Sequence, residues 1–139
     1  MIISDGYNGT PSGVENICED DMGQTKPYVL HAEANAITKV AKSANNCEGA
    51  TLYITASPCL ECSKLIIQAG IKRVVYCEKY RCEDGLDLLR RVSVVEILHA
   101  FKLLSKSKVD VAKQRPGAGF PGFFFLLCRS FFGTCAIFC

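Results

Sequence analysis

Two short runs constrain this chain more than anything else in it: His31-Ala32-Glu33, and later Pro58-Cys59-Leu60-Glu61-Cys62. A fold that uses them together must bring the imidazole of His31 against the thiols of Cys59 and Cys62. Three such ligands hold a tetrahedral zinc ion and leave its fourth position open to water, the arrangement of a catalytic site rather than a structural one. Glu33 is not needed as a ligand, so its carboxylate is free to sit beside that water and move its protons. Taken singly, each residue has a plainer reading. A lone histidine is more often packing or surface, a C-x-x-C pair also serves thiol redox chemistry, and a lone glutamate is a solvated helix residue. The redox reading does not predict the upstream His-x-Glu or the Pro directly before the first Cys. The joint pattern favours the metal.

The surrounding sequence says which elements carry these runs. Met1 to Tyr7 reads as a short strand entering the turn-rich loop Gly6-Tyr7-Asn8-Gly9-Thr10-Pro11-Ser12-Gly13. Val14 to Tyr28 is polar and lacks clear periodicity. His31 to Ser43 predicts a helix, with Ala32, Ala36, Ile37, Val40 and Ala41 on one stripe. Thr51 to Ala56 is β-branched and aromatic enough for a strand. Cys59 to Ala69 predicts a second helix, with Gly70 as its stop. Arg73 to Cys77 reads as a strand, Asp84 to Arg91 as a short helix, and Val92 to Leu98 as the last strand. Both motifs thus open helices, where the dipole favours thiolates. Strands alternating with helices imply an α/β domain of three layers (α/β/α) with a mixed, mainly parallel sheet, the motif helices starting at strand carboxyl ends. There is no internal repeat.

At 139 residues the chain has room for one domain with a single core. Its net charge of +2 is too small to argue for a nucleic-acid surface. Nine cysteines would fit a secreted disulfide framework, but no cleavable apolar leader opens the sequence and two cysteines serve better as ligands. A reducing cytoplasm fits, with Cys18, Cys47, Cys77 and Cys82 as plain thiols. The last quarter changes character. Lys102 to Arg115 is basic, Arg115-Pro116-Gly117-Ala118-Gly119 is a breaker, and Phe120 to Cys139 holds seven of the eight phenylalanines. A membrane anchor needs about 20 apolar residues. Here Pro121 lies near the start of the run and Arg129 near its centre, where an arginine costs ~3 kcal/mol. A core element would show a period, which Phe123-Phe124-Phe125-Leu126-Leu127 does not. The reading adopted is a segment not selected for this fold: a domain over 1–100, with 101–139 outside it and Phe120 to Cys139 dispensable.

The order H-x-E…P-C-x-x-C is the signature of zinc deaminases that act on nucleobases. From Gly6 to about Glu96 the chain resembles the deoxycytidylate (dCMP) deaminases of the cytidine deaminase superfamily. The resemblance rests on the loop Gly6 to Gly13, on Pro27-Tyr28-Val29 before His31-Ala32-Glu33-Ala34-Asn35-Ala36-Ile37, on Cys62 through Lys72, and on Lys79-Tyr80. It implies that His31, Cys59 and Cys62 hold Zn2+ and that Glu33 shuttles protons while a zinc-activated hydroxide attacks C4 of cytosine, converting dCMP to dUMP. It also implies that Asn8 hydrogen-bonds the sugar-phosphate portion and that Tyr80 lies against the nucleotide. The plainer readings are that Asn8 serves the turn and that Tyr80 is half-buried packing. Members of the family assemble as homo-oligomers, often hexamers, and many are controlled by dCTP and dTTP.

Two alternatives stand beside this reading: a deaminase of another nucleoside, nucleotide or tRNA base, and an inactive zinc-binding subunit. Low net charge speaks against tRNA, and the presence of Glu33 speaks against a silent subunit. The family also has a helix and a strand before the position of Ile2-Ile3-Ser4. The chain is therefore expected to be N-terminally truncated, with a gap in its sheet between the first strand and the Thr51 strand.

Overall fold

Alternating strands and helices assemble here by a repeated crossover. The computed structural model describes residues 1–98 and 134–138. Its elements are β1 (Ile2–Tyr7), α1 (Ala32–Val40), β2 (Thr51–Ala56), α2 (Leu60–Gln68), β3 (Arg73–Glu78), α3 (Asp84–Arg91), β4 (Val95–Leu98) and β5 (Thr134–Phe138). The five strands form one sheet in the order β1-β5-β2-β3-β4. β2, β3 and β4 are parallel neighbours, and β5 runs antiparallel to both β1 and β2. β1 is therefore parallel to β2. The connections β1-α1-β2, β2-α2-β3 and β3-α3-β4 all step the same way across the sheet, so right-handed crossovers carry all three helices to one face.

Burial agrees with that topology. Ala32, Ala36 and Val40 of α1, Ile66 of α2, and Leu86 and Leu89 of α3 share one cluster with Leu52, Ile54, Val74, Tyr76, Cys135 and Ile137 of the sheet. The alternate strand residues Tyr53 and Val75 face the other way, with Cys77 and Phe138 against them. The α/β class and mixed sheet are as the sequence implies. Of the three layers expected, the described residues supply the sheet and one helical layer.

Local chemistry sets most boundaries. α2 ends in a Schellman motif: Gly70 at φ +79° donates its N–H to the Ile67 carbonyl, and Ile71 donates to Ile66. In α3, Asp84 and Asp87 occupy the first turn and Arg90 and Arg91 the last, which suits the helix dipole. α1 stops at Val40 rather than Ser43. The last of the parallel strands begins at Val95, not Val92, because Val92 caps α3 and Ser93 turns the chain through a left-handed φ of 59°.

The largest departure is β5. The expected gap between β1 and β2 does not exist, and residues 134–138 do not lie outside the domain. They fill that slot, pairing Gly6 with Cys135 on one side and Tyr53 with Ala136 on the other. The physical reason is that an interior slot leaves two rows of peptide groups without partners, a cost the fold cannot carry. Cys135, Ala136 and Ile137 are all 0% exposed, so β5 is core on both faces. The basic stretch and the start of the phenylalanine-rich run lie outside the described residues, as does the anchor reading of them. Among the described residues no helix is long and apolar enough to cross a membrane.

Candidate active site

Because β1 and β2 are parallel, their carboxyl ends leave the sheet on the same edge, and the helices that follow begin there. After β1 the chain loops out and returns through a two-way backbone pairing of Gly9 with Leu30. The first turn of α1 is then tied to the end of β1. Asn8 Oδ1 accepts the Ala32 N–H at 2.9 Å, and Asn35 Nδ2 donates to the Tyr7 carbonyl at 2.9 Å. His31 is the N-cap of α1 and Cys59 the N-cap of α2, both with extended backbone and neither with a side-chain cap bond. Asn8 supplies one of the missing cap bonds at α1, which leaves the imidazole of His31 free to face the second motif. Cys62 follows Cys59 by three residues and so lies on the same side of its helix.

The three side chains meet. His31 Nδ1 is 3.5 Å from Cys59 Sγ and 3.5 Å from Cys62 Sγ, and one ligand atom from each lies within 4.8 Å of the others. A tetrahedral zinc about 2.0–2.1 Å from nitrogen and about 2.3 Å from sulfur puts those two atoms about 3.5 Å apart. The donor set and its edges therefore fit zinc. Burial, followed by the charges of Glu33 and Cys59, pushes the Cys62 thiol far above the ordinary range. Filling the site must displace that proton, so metal uptake releases acid.

Glu33 lies beside the ligands and is 9% exposed. Burial raises its carboxyl above the usual range, opposed by a backbone hydrogen bond, by His31 and by a hydrogen bond with Cys62. His31, Glu33 and Cys59 line a cleft of about 620 Å³, to which Asn8 and Tyr80 also contribute. Cys62 is buried at 2% exposure. That volume suits one small molecule. All six residues singled out from sequence thus converge on one place.

Two neighbours have no part in the sequence reading. Ser57, buried directly before Pro58, donates its N–H to the Glu78 carbonyl and accepts the Tyr80 N–H on Oγ at 2.8 Å, which fixes Tyr80 at the cleft wall. The Arg81 guanidinium stands 5.3 Å over the Tyr80 ring. Adjacency to Pro58 and Tyr80 was the available signal for both.

Residues 1–78, more than half of the chain, match the family described as the cytidine and deoxycytidylate deaminase zinc-binding region. The chain belongs to this family. Among its relatives, deoxycytidylate deaminase of Enterobacteria phage T4 is 34% identical, over 73% of this chain and 74% of its own length. Human deoxycytidylate deaminase is 41% identical over 60% of this chain and half of its own length. The structure of a dCMP deaminase from cyanophage S-TIM5, in complex with dCMP and dUMP, superimposes with a TM-score of 0.62. It is 51% identical, covering 66% of this chain and 68% of that one.

The metal assignment predicts a simple chemical result. Pure protein should carry about one equivalent of zinc by elemental analysis, and the double variant Cys59→Ala, Cys62→Ala should carry none. Stoichiometric zinc in the double variant would rule the ligand set out. Because site formation contributes to folding, Cys59→Ala alone should lower thermal stability as well.

Proposed function

We propose that this chain catalyses the zinc-dependent hydrolytic deamination of dCMP to dUMP with release of ammonia. The observation that carries the reading is the pair of 3.5 Å imidazole–thiol edges beside a buried carboxylate, where His31, Glu33 and Cys59 line a cleft of about 620 Å³. When bound by His31, Cys59 and Cys62, zinc supplies a Lewis acid that makes water nucleophilic near neutral pH. The residues of the chain do the rest. The Glu33 carboxylate takes a proton from the water that adds to C4 and delivers it to N3. It then takes the second proton, from the hydroxyl now on C4, and passes it to the amine, so that the C4–N bond breaks, ammonia leaves and the C4 carbonyl of dUMP forms. Asn8 holds Oδ1 toward the Ala32 N–H, so its amide is oriented with two Nδ2 hydrogens left for the sugar-phosphate portion. Tyr80, 38% exposed on the cleft wall, packs against the nucleotide.

Assembly into a homo-oligomer and control by dCTP and dTTP belong to the same proposal and are supported by the family resemblance; a cytoplasmic location belongs to it too, supported by the reading of Cys18, Cys47, Cys77 and Cys82 as plain thiols. The substrate assignment is tested by measuring ammonia release from dCMP, CMP, cytidine and a tRNA with the zinc-loaded protein. Turnover of dCMP should exceed that of the others. A preference for unphosphorylated cytidine or for tRNA would overturn it.

A further inference from the structure

The residue between the histidine ligand and the reacting carboxylate is Ala32, and its peptide groups are held from two directions. Its N–H goes to Asn8, as described above. Its carbonyl accepts the thiol of Cys135, with Sγ to O at 3.0 Å. Cys135 is wholly buried and belongs to β5, more than a hundred positions away in sequence. Its sheet partner is Gly6 of β1. A Cβ on Gly6 would collide with the same Ala32 carbonyl and would come within 2.8 Å of the Ala36 amide nitrogen. Gly6 and Cys135 therefore form a notch in the sheet, open on one side and hydrogen-bonding on the other, into which the Ala32–Ala36 turn of α1 seats.

We propose that Cys135 is a positioning residue for the reaction: its thiol, donating to the Ala32 carbonyl, sets the height and rotation of the first turn of α1 and so the placement of His31 and Glu33 against Cys59 and Cys62. Resting on the deaminase reading above, it gives β5 a role in the site beyond completing the sheet. Burial keeps the thiol protonated and hence a donor. Groups hydrogen-bonded to metal ligands orient them, and Cys135 acts one peptide further out, through the Ala32 carbonyl between His31 and Glu33.

The test compares Cys135→Val with Cys135→Ser in the full chain. Valine suits a buried strand and fills the space but cannot donate. Serine donates but buries a hydroxyl, so packing alone ranks valine at least as high. Positioning ranks serine higher. Cys135→Val should lower kcat for dCMP and the zinc affinity, read by chelator competition, each by about tenfold, with KM within about twofold. It should also shift the visible absorption of the cobalt(II)-substituted protein. Cys135→Ser should bring kcat and affinity back to within about threefold of the parent and restore the cobalt spectrum. An unchanged spectrum and affinity in Cys135→Val would overturn the proposal, as would kcat values that follow melting temperature across the set. If the parent itself fails to turn over dCMP while the spectrum and affinity still rank serine above valine, the positioning role stands and the deaminase reading falls.

Discussion

Glu33→Gln retains stoichiometric zinc and loses dCMP turnover by about 10²–10⁴-fold or more. The amide keeps the shape of the carboxylate at a site that is 9% exposed, and it leaves His31, Cys59 and Cys62 untouched. What it removes is a group able to accept and return a proton, and the proposed reaction asks for that at the water, at N3 and at the leaving amine. A residue serving several transfers should sit at the upper end of the range for general acid–base catalysis. Steady-state ammonia release and metal analysis on the same preparation decide the matter. A variant with a tenth of the parental rate at full zinc occupancy would remove the shuttle role.

Ile137→Asp in β5 abolishes both the cooperative unfolding transition and zinc binding. Ile137 is 0% exposed and lies in the helix-facing cluster with Leu52 and Ala36. Truncating such a side chain costs about 2–5 kcal/mol, and an unpaired carboxylate in its place costs more. Against a net stability of ~5–15 kcal/mol, the sheet opens at its second position and the carboxyl ends of β1 and β2 lose their common edge. Removing residues from Thr134 onward should do the same, contrary to the expectation that Phe120 to Cys139 is dispensable. Melting followed by circular dichroism, with metal analysis, reads the effect. A melting temperature within about 5 °C of the parent, equivalent to roughly 1 kcal/mol, would mean that β5 does not carry the sheet.

Most of the site and most of the fold were legible because they are local. Thr51–Ala56 and Asp84–Arg91 have the bounds the sequence implies, and Gly70 stops α2 as its left-handed φ requires. The motif residues declare themselves by type and spacing, and parallel β1 and β2 are enough to bring them together. β5 was illegible for a physical reason. A strand buried on both faces shows no alternation, and Thr134–Phe138 follows a phenylalanine-rich run that hides what signal it has. Nothing local marks which slot in a sheet a distant strand will fill. The cap geometry was hidden in the same way. His31 reads as the first residue of a helix, yet it stands at the N-cap with its imidazole turned away, and that depends on Asn8 supplying the bond from another loop.

The register of β5 also sets the order of events when the chain folds. Phe138 pairs with Ile2 on one side and Thr51 on the other, so the sheet closes through contacts between sequence-distant residues. Such closures carry their entropic cost before any pairing repays it, and folding rates fall as contact order rises. The β2-α2-β3 and β3-α3-β4 units can form early from near neighbours. Strand insertion between β1 and β2 is expected to come late, and with it the seat for the first turn of α1. Refolding protein is therefore expected to capture zinc at a rate set by the closing of the sheet and not by the concentration of the ion, which stopped-flow refolding at varied zinc concentrations checks.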